Sequence, residues 1–302
     1  MPSFVIECRK IASNAQNDSI LLHCSVEQVS VTGDSSLLLP IAALLAAGAG
    51  AGFAGGLFGI GGGFVVVPAL VLILPMMGAQ PDQITHIAIG TSLATIIFTS
   101  LRSVKSHALR NSVDFEVLKS WAPWVVGGTV LGAAIADFVS SGTLALIFGV
   151  GVLAFALHFL APRIHDRQLL EAMPGGAAKV SLAGGLGLLS SLLGIGGGTI
   201  TTMVMTLCGT PIHRAIGTAS GMGAIIALPG TIGFIIIGFA EPGLPAGSFG
   251  YVNWPAAIGI VATSVLFAPL GVAAAHKLSP RVLRLVFGIY LIVVGVTMIA
   301  NQ

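Results

Sequence analysis

Long stretches of this chain contain no Asp, Glu, Lys or Arg. They span residues 35–81, 83–101, 120–136, 138–162, 180–213, 215–240, 242–276 and 285–302. A membrane-spanning helix needs about 20 mostly apolar residues, and most of these stretches supply them. Charged residues make up 8% of the chain, against roughly 25% in an ordinary globular domain. The sequence therefore predicts an all-α, polytopic membrane protein.

Polar residues, Pro and Gly divide the apolar sequence into ten predicted helical segments. We label them A (37–60), B (63–77), C (84–101), D (120–137), E (142–161), F (179–194), G (197–209), H (213–238), I (254–276) and J (281–300). Segments A–E form a first membrane repeat, residues 37–161, and segments F–J form a second, residues 179–302. A polar linker, residues 162–178, joins them. A polar N-terminal extension, residues 1–36, precedes them, and we expect it to be disordered.

The motif Gly-Ile-Gly-Gly-Gly occurs at residues 59–63 and again, 135 residues later, at 194–198. Glycine weakens a helix by about 1 kcal/mol relative to alanine. Irregular backbone is tolerated within a membrane only where it is buried in protein or lines a polar cavity. The two motifs therefore predict two broken or re-entrant helices that face an internal site. Close packing of helices through small residues is the alternative interpretation.

Two further matches indicate an internal duplication. The sequence HIAIGT, from His86 to Thr91, recurs as HRAIGT from His213 to Thr218. The sequence LALIFG at 144–149 recurs as LRLVFG at 283–288. Internal repeats of this kind are typical of secondary transporters.

The charges of the loops predict the orientation of the two repeats. The C–D loop, the E–F linker and the I–J loop carry Lys and Arg, whereas the D–E and H–I loops carry neither. The positive-inside rule puts the first three in the cytoplasm and the other two outside. Because segments F and G are short, they are predicted to form a re-entrant hairpin. The same argument predicts a re-entrant hairpin for segments A and B. The repeats are then inverted. A parallel arrangement, with each hairpin a single kinked span, is the alternative.

Inversion brings the two predicted bends together near the middle of the membrane. The starts of segments B and G would present unpaired backbone N–H groups and positive dipole ends, which favour an anion. No segment carries a charged side chain clearly at its centre, whereas cation pathways usually do. The hydroxyl residues available to such a site are Thr91, Ser92, Thr95, Thr199, Thr201, Thr202, Thr218 and Ser220. Each hydroxyl could instead bond its own helix backbone.

His86 and His213 recur in the repeat, each at the start of a segment. They are predicted to cap helix ends at the membrane surface, and the alternative is a role in proton coupling. The glycine-rich motif by which proteins bind dinucleotides is incomplete in this sequence. The three cysteines lack the spacing of a metal or redox site. The net charge of +2 does not suggest nucleic acid. We therefore expect no cofactor, no metal, no nucleic-acid partner and no enzymatic activity.

The first glycine motif with Val67-Pro68, then Ala88–Ser92 (AIGTS), then the Asn111-x-Val113-Asp114 turn, resembles the TauE/SafE family of sulfite exporter-like permeases. The resemblance covers about residues 37–300. It implies a bacterial or archaeal inner-membrane permease for a small anion, such as sulfite or a sulfonate. The substrate-binding residues that it implies are Gly59, Gly61, Gly62, Gly63, Gly90, Thr91, Ser92, Gly194, Gly196, Gly197, Gly198, Gly217 and Thr218. Thr199, whose hydroxyl directly follows the second glycine motif, is expected to bind the substrate with them.

The second copy departs from the first, because Met203 stands where Pro68 would be and Ala219 replaces Ser92. The two halves are therefore not expected to contribute equally to the site. The function predicted is transport of a small anion through a lipid bilayer. An anion channel is the nearest alternative, followed by an intramembrane enzyme or a membrane scaffold.

Overall fold

The computed structural model describes residues 5–13, 20–27, 35–58, 62–160, 173–277 and 280–300. In these ranges the chain forms ten α-helices and two β-hairpins. The helices are α1 (Ser35–Phe58), α2 (Gly63–Ile73), α3 (Ile84–Ala108), α4 (Phe115–Asp137), α5 (Ser141–Leu160), α6 (Gly176–Leu192), α7 (Gly198–Leu207), α8 (Ile212–Ile237), α9 (Trp254–Lys277) and α10 (Pro280–Ala300). A 3₁₀ turn, Leu74–Met77, extends α2.

Helices α1–α10 correspond in order to the predicted segments A–J, and the all-α membrane fold is confirmed. Helices α1, α3, α8 and α9 are each long and apolar enough to cross a membrane. Helix α3 continues to Ala108, past the predicted end of segment C, because Arg102 and Lys105 are good helix formers. Helix α4 begins at Phe115 because the Asp114 carboxylate caps it, accepting the N–H groups of Glu116 and Val117 at 3.2 Å.

A β-hairpin lies within the N-terminal extension. Strands β1 (Val5–Ser13) and β2 (Ile20–Glu27) pair antiparallel there. Residues 1–40 form a compact unit separate from residues 41–302. An isolated two-stranded hairpin is marginally stable in water, and the expected disorder stays a prediction. Most of the linker, residues 162–172, and the first three residues of the first glycine motif, 59–61, lie outside the described residues.

In two pairs of equivalent helices, the helix of the first repeat runs antiparallel to that of the second. In the α3–α8 pair, a Cβ on Gly230 would lie 3.0 Å from Leu93, and one on Gly223 would lie 2.6 Å from Ser100 Oγ. In the α5–α10 pair, Gly149 faces Ile299 and Gly288 faces Leu160. An in-plane two-fold axis reverses every helix, whereas an axis along the membrane normal does not. The inverted arrangement stays a prediction, and this packing supports it.

Two further helix pairs pack through glycines in the same way. In the α1–α9 pair, Gly52 meets the carbonyl of Ser264, and Gly271 meets the carbonyl of Phe53. In the α4–α6 pair, Gly187 meets the carbonyl of Val125, and Gly132 meets that of Leu188. The residues of the second pair are the repeat equivalents of those of the first. Small residues let the helix backbones approach closely, as in other membrane proteins.

Phe64 fixes the beginning of α2 in the core. It is fully buried, and its ring makes edge contacts with Phe155 of α5 and Phe287 of α10 at centroid distances of 5.5 and 6.1 Å. The hydroxyl of Tyr290 also donates to the Phe64 carbonyl, at 3.3 Å. The α5–α10 pair therefore supports the break between α1 and α2.

Candidate functional site

Helices α2 and α7 both begin at a glycine with left-handed backbone. Gly62 has φ 79° and Gly197 has φ 65°, and each is the N-cap of its helix. Residues with a Cβ rarely adopt this conformation, which explains the need for glycine here. The two helices have 11 and 10 residues, too short to span a membrane. The predicted breaks at the two motifs are thus present, while Gly59 and Gly61 lie outside the described residues.

The beginning of α2 contacts the second glycine motif. A Cβ on Gly63 would lie 2.7 Å from the carbonyl oxygen of Gly194 and 3.0 Å from Cα of Ile195. The hydroxyl of Ser92, on α3, donates to the same Gly194 carbonyl at 2.8 Å. The structure therefore brings together Gly63, Gly194 and Ser92, three of the predicted site residues.

A cavity of about 860 Å³ lies between α1, α3, α8 and α9 and reaches the second motif. Gly196 and Gly198 line it where α7 begins. A Cβ on Gly196 would contact Ile96, so this end of the cavity is level with Thr95. The cavity then follows α3 to His107, a distance of about 18 Å at the rise of an α-helix.

Hydroxyl groups line the cavity between its two ends. They belong to Thr95, Thr99, Ser100, Ser103, Ser106, Ser220 and Ser264. Ser220 donates to the Ile216 carbonyl at 3.0 Å, so the bond of 3.0 Å between Ser103 and Ser220 uses the Ser103 proton. This bond joins α3 to α8 across the wall of the cavity. Thr95 donates to the Ser92 carbonyl at 2.7 Å.

Basic side chains at the end of α3 line one side of the mouth of the cavity. Arg102, Lys105, His107 and Arg110 line it, and no described lining residue is Asp or Glu. Arg102, Lys105 and Arg110 are exposed, so their charges reach the solvent as well as the cavity. A concave surface lined by charge of one sign attracts ions of the opposite sign. The geometry and the charge of this cavity suit a small anion.

The hydroxyls of Thr91 and Thr218 form hydrogen bonds with backbone N–H groups of two loops and not with the glycine motifs. The Thr91 hydroxyl accepts the N–H of Asn253 at 2.9 Å, and the Thr218 hydroxyl accepts the N–H of Asp114 at 2.8 Å. Both threonines are fully buried, and the described lining of the cavity includes neither. Their predicted role in substrate binding stays a prediction.

Gly90 and Gly217, which precede the two threonines, allow two loops to approach the helices. Gly90 lies against the carbonyl of Tyr251, and Gly217 lies against the carbonyl of Ser112. The two loops, residues 111–114 and 250–253, are therefore docked in the same way on α8 and α3. They are also 139 residues apart, the offset that relates α5 to α10.

The two histidines differ in their surroundings. His86 is buried, donates through Nε2 to the Ala136 carbonyl at 3.0 Å and stacks on Tyr251 at a centroid distance of 4.9 Å. His213 is exposed in the first turn of α8. Neither lines the cavity in the described part of the chain. His86 therefore lies beside the loop that contacts Gly90, and the proton coupling of both histidines stays a prediction. Thr199 is buried in the first turn of α7.

Most residues of the cavity walls are not among those that the sequence predicts for the site. Arg102, Lys105 and Arg110 lie past residue 101, the predicted end of segment C, so in the sequence they indicate only orientation, as loop charges. The spacing of Thr95, Thr99, Ser103 and Ser106 on α3, about one helical turn apart, is a signal that could have identified this polar face. Ser264 had no such neighbours in sequence.

Comparison with known proteins agrees with this architecture. The family model described as sulfite exporter TauE/SafE matches residues 44–298. A probable membrane transporter protein of Haemophilus influenzae is 33% identical over 256 residues, which cover 84% of this chain and 96% of that protein. A probable membrane transporter protein of Methanocaldococcus jannaschii is 29% identical and covers 87% of this chain and 96% of its own length. No solved structure matches the chain.

Proposed function

The chain belongs to the sulfite exporter TauE/SafE family, and from this premise we propose that it exports a small sulfur-containing oxyanion, such as sulfite or a sulfonate. The family and its relatives are membrane transporters of bacteria and archaea, so the protein is a multi-pass membrane protein of such a cell. The name of the family and those of the relatives indicate a transporter rather than an enzyme.

The observation that carries the proposal is the cavity with a basic mouth, hydroxyl walls and a helix N-terminus at its far end. The N–H groups of the first turn of α7 point away from the rest of the helix, and the start of a helix has about half an elementary charge of positive sign. Gly198, at the first position of α7, lines the cavity and leaves this backbone uncovered. The hydroxyls of Ser100 and Ser106, which also line the cavity on α3, can donate to an oxyanion and replace part of its hydration shell.

The position of the basic residues favours movement from the cytoplasm outwards. The mouth carries Arg102, Lys105 and Arg110, and the positive-inside rule puts this loop in the cytoplasm. Their repeat equivalents on α8 are Pro229, Ile232 and Ile237, which carry no charge. A negative interior also drives anions outwards, by about 2.3 kcal/mol per charge and 100 mV. We therefore expect a lower KM on the cytoplasmic side.

Closure on the opposite side favours a carrier over an open channel. There, α4 packs directly against α8: a Cβ on Gly233 would lie 2.6 Å from Cβ of Ala133, and one on Gly230 would lie 3.4 Å from Thr129 Cγ2. A cavity open at one end and closed at the other is the arrangement that alternating access requires. Flux that saturates with substrate would support this choice, and flux that rises linearly would favour a channel.

Reconstituted protein tests the proposal directly. Proteoliposomes loaded with radiolabelled sulfite should release it, and unlabelled thiosulfate and sulfonates should compete to the extent that they are substrates. Replacement of Na⁺ by a large inert cation should leave the flux unchanged unless Na⁺ is coupled to transport. Robust cation flux without any dependence on the anion would overturn the proposal.

The proposed direction also depends on the inverted arrangement, which labelling can test. Single cysteines in place of Asp137 and Glu241 lie at the ends of α4 and α8 that are predicted to be outside. Both should react with a membrane-impermeant thiol reagent applied to intact cells. Reaction of either cysteine from the cytoplasmic side alone would contradict the inverted arrangement.

A further inference from the structure

Three buried hydroxyl groups close to the second glycine motif have no hydrogen-bond partner. They belong to Ser190 and Ser191 on α6 and Thr201 on α7, and these residues are 0%, 0% and 2% exposed. Other buried hydroxyls, such as those of Thr129 and Thr231, donate to a carbonyl one turn earlier in their own helix. A buried polar group without a partner is costly and rare, so these three hydroxyls need an explanation.

The internal repeat relates these hydroxyls to the cavity. The offset of 135 residues that aligns the glycine motifs maps Ser190, Ser191 and Thr201 onto Gly55, Gly56 and Val66. All three equivalents line the cavity. The same offset maps Leu186 and Gly187 onto two further lining residues, Ala51 and Gly52. The three hydroxyls without a partner therefore lie at positions that would line a second cavity, related to the first by the internal repeat.

Contacts between α4 and α8 close this second region in the structure. A Cβ on Gly230 would lie 3.4 Å from Thr129 Cγ2, and one on Gly233 would lie 2.6 Å from Cβ of Ala133. The equivalents of Gly230 and Thr129 in the other half are Ser103 and Ala268, which both line the cavity. The α1–α9 and α4–α6 pairs have matching internal contacts. The two pairs differ in their distance from α3 and α8. The open cavity separates the α1–α9 pair from these two helices, whereas the α4–α6 pair contacts α8.

The closed region is also filled by larger side chains. A Cβ on Gly197 would meet Ile226, and it would lie 3.1 Å from Ser190 Oγ and 3.2 Å from Leu186. The equivalents of Ile226 and Leu186 are Thr99 and Ala51, which are smaller and line the open cavity. The second region is therefore narrower, and its hydroxyls lie against the backbone at which α7 begins.

We propose that Ser190, Ser191 and Thr201 line a second, outward-facing cavity for the transported oxyanion, which is closed here and opens when the α4–α6 pair moves away from α8. The inference rests on the proposed function for the identity of the ligand, but not for the existence of the cavity. In the open state the three hydroxyls gain water or the oxyanion as partners. Hydroxyls without partners raise the free energy of the closed state. This increases the population of the open state, because the populations of two conformations depend on their difference in free energy.

Thiol labelling tests the cavity without any transport measurement. Single cysteines would replace Ser190, Ser191 and Thr201 in a background in which Cys8, Cys24 and Cys208 are alanine. Intact cells are treated with a membrane-impermeant thiol reagent, with and without external sulfate or methanesulfonate. The matched control is Ala183→Cys, because Ala183 is fully buried on the same helix and its equivalent Gly48 is absent from the described lining.

The three cysteines should react from outside several-fold faster than the control, and the oxyanion should slow their reaction. No reaction from outside under any condition, or reaction only from the cytoplasmic side, would overturn the inference. Labelling without any anion transport would leave this cavity standing and refute the proposed function. Anion transport without outside labelling would refute this cavity and leave the proposed function standing.

A second measurement covers the case in which the cysteine variants insert poorly. Ser190→Ala and Thr201→Val remove hydroxyls that have no partner in the closed state, so thermal stability should be unchanged or higher while turnover falls. Thr129→Val is the matched control, because its hydroxyl donates to the Val125 carbonyl at 2.8 Å and its removal should lower stability. Loss of stability in Ser190→Ala and Thr201→Val, with normal turnover, would contradict the inference.

Discussion

The hydroxyl of Thr218 accepts the backbone N–H of Asp114, on a loop 104 residues away, at 2.8 Å. Its repeat equivalent Thr91 accepts the N–H of Asn253 at 2.9 Å. Asp114 caps α4, and Asn253 accepts the N–H of Ala256 at the start of α9. Each Gly-Thr pair therefore holds the loop that begins a helix of the other repeat, and the two repeats are joined twice by the same device.

The first prediction follows from these bonds. Thr91→Val leaves the buried N–H of Asn253 without a partner, which should lower the free energy of unfolding by about 1–3 kcal/mol. Thr218→Val does the same to the partly buried N–H of Asp114 and should cost less. Serine at either position keeps the hydroxyl and should retain most of the stability. Thermal unfolding in detergent, together with the KM of transport, measures both effects. A raised KM at unchanged stability would instead support the substrate-binding role that the resemblance implies.

The second prediction separates the two roles of Asp114. Its carboxylate caps α4 and also pairs with Arg214 at 2.9 Å, where the arginine side chain is 53% exposed. Asp114→Asn should keep the cap, as Asn253 does in the other repeat, and cost at most about 1 kcal/mol because exposed ion pairs are weak. Asp114→Ala should cost about 1 kcal/mol more through the lost cap. Equal stability of both variants in thermal unfolding would argue against the capping role.

The third prediction concerns the far end of the cavity. A Cβ on Gly223 would lie 2.6 Å from Ser100 Oγ and 3.1 Å from the Gly196 carbonyl. Gly223→Val should therefore obstruct the cavity and remove most of the flux, with a loss of stability of about 1–3 kcal/mol from overpacking.

Gly185→Ala is the control for Gly223→Val, because a Cβ at Gly185 would meet nothing within 4 Å. This variant should transport normally and be slightly more stable, since alanine favours a helix. Normal flux in Gly223→Val would show that the anion follows another path. Gly62 and Gly197 suit this test less well, because their positive φ angles strain any substitution whatever its effect on the path.

Much of this fold could be predicted from the sequence because membranes restrict the choice of structure. Charge-free stretches predict the order of the ten helices that the described residues form, and the doubled glycine motif predicts both breaks. The match between the two docked loops was harder to see, because NSVD at 111–114 and GYVN at 250–253 share one residue. What they share is conformation, since Asn111 has φ 53° and Gly250 has φ 56°.

The cavity could not be predicted, for a physical reason. Its shape depends on how far the α1–α9 pair stands from α3, and periodicity carries no information on distances between helices. The basic mouth was visible in Arg102 and Lys105 only as a signal of orientation, because loop charge and cavity charge look alike in a sequence. Hydroxyls such as Ser264 are also indistinguishable from those that bond their own helix.

The fourth prediction is a dependence of stability on pH that arises outside the membrane helices. Burial raises the pKa of Tyr251 to about 12, and nearby carboxylates, of which Glu241 contributes most, act in the same direction. The ordinary pKa of tyrosine is about 10, so the unfolded state loses its proton first. This contribution to stability is present below pH 10 and is lost as the pH rises through 12.

Tyr251→Phe keeps the ring that stacks on His86 and removes the titrating group. The variant should therefore lose less stability than the native protein between pH 10 and 12. Thermal unfolding across this range, taken as the difference between the two proteins, cancels the titration of other groups. Parallel curves would mean that Tyr251 is accessible to water in the folded state.

The last prediction uses salt to test the basic mouth. Arg102→Gln and Lys105→Gln each remove one positive charge from the wall of the cavity. At low ionic strength the KM for the anion on the cytoplasmic side should rise by about two- to tenfold, because charged clefts raise the local concentration of a substrate. At about 1 M salt the Debye length falls to about 3 Å, so the KM values of the variants and of the native protein should converge.

Lys119→Gln is the matched control, since Lys119 is exposed on α4 and is not among the described lining residues. A similar rise in KM for Lys119→Gln would mean that net charge, rather than the mouth, attracts the anion. A rise for Arg102→Gln that persists at high salt would mean that the guanidinium binds the anion directly.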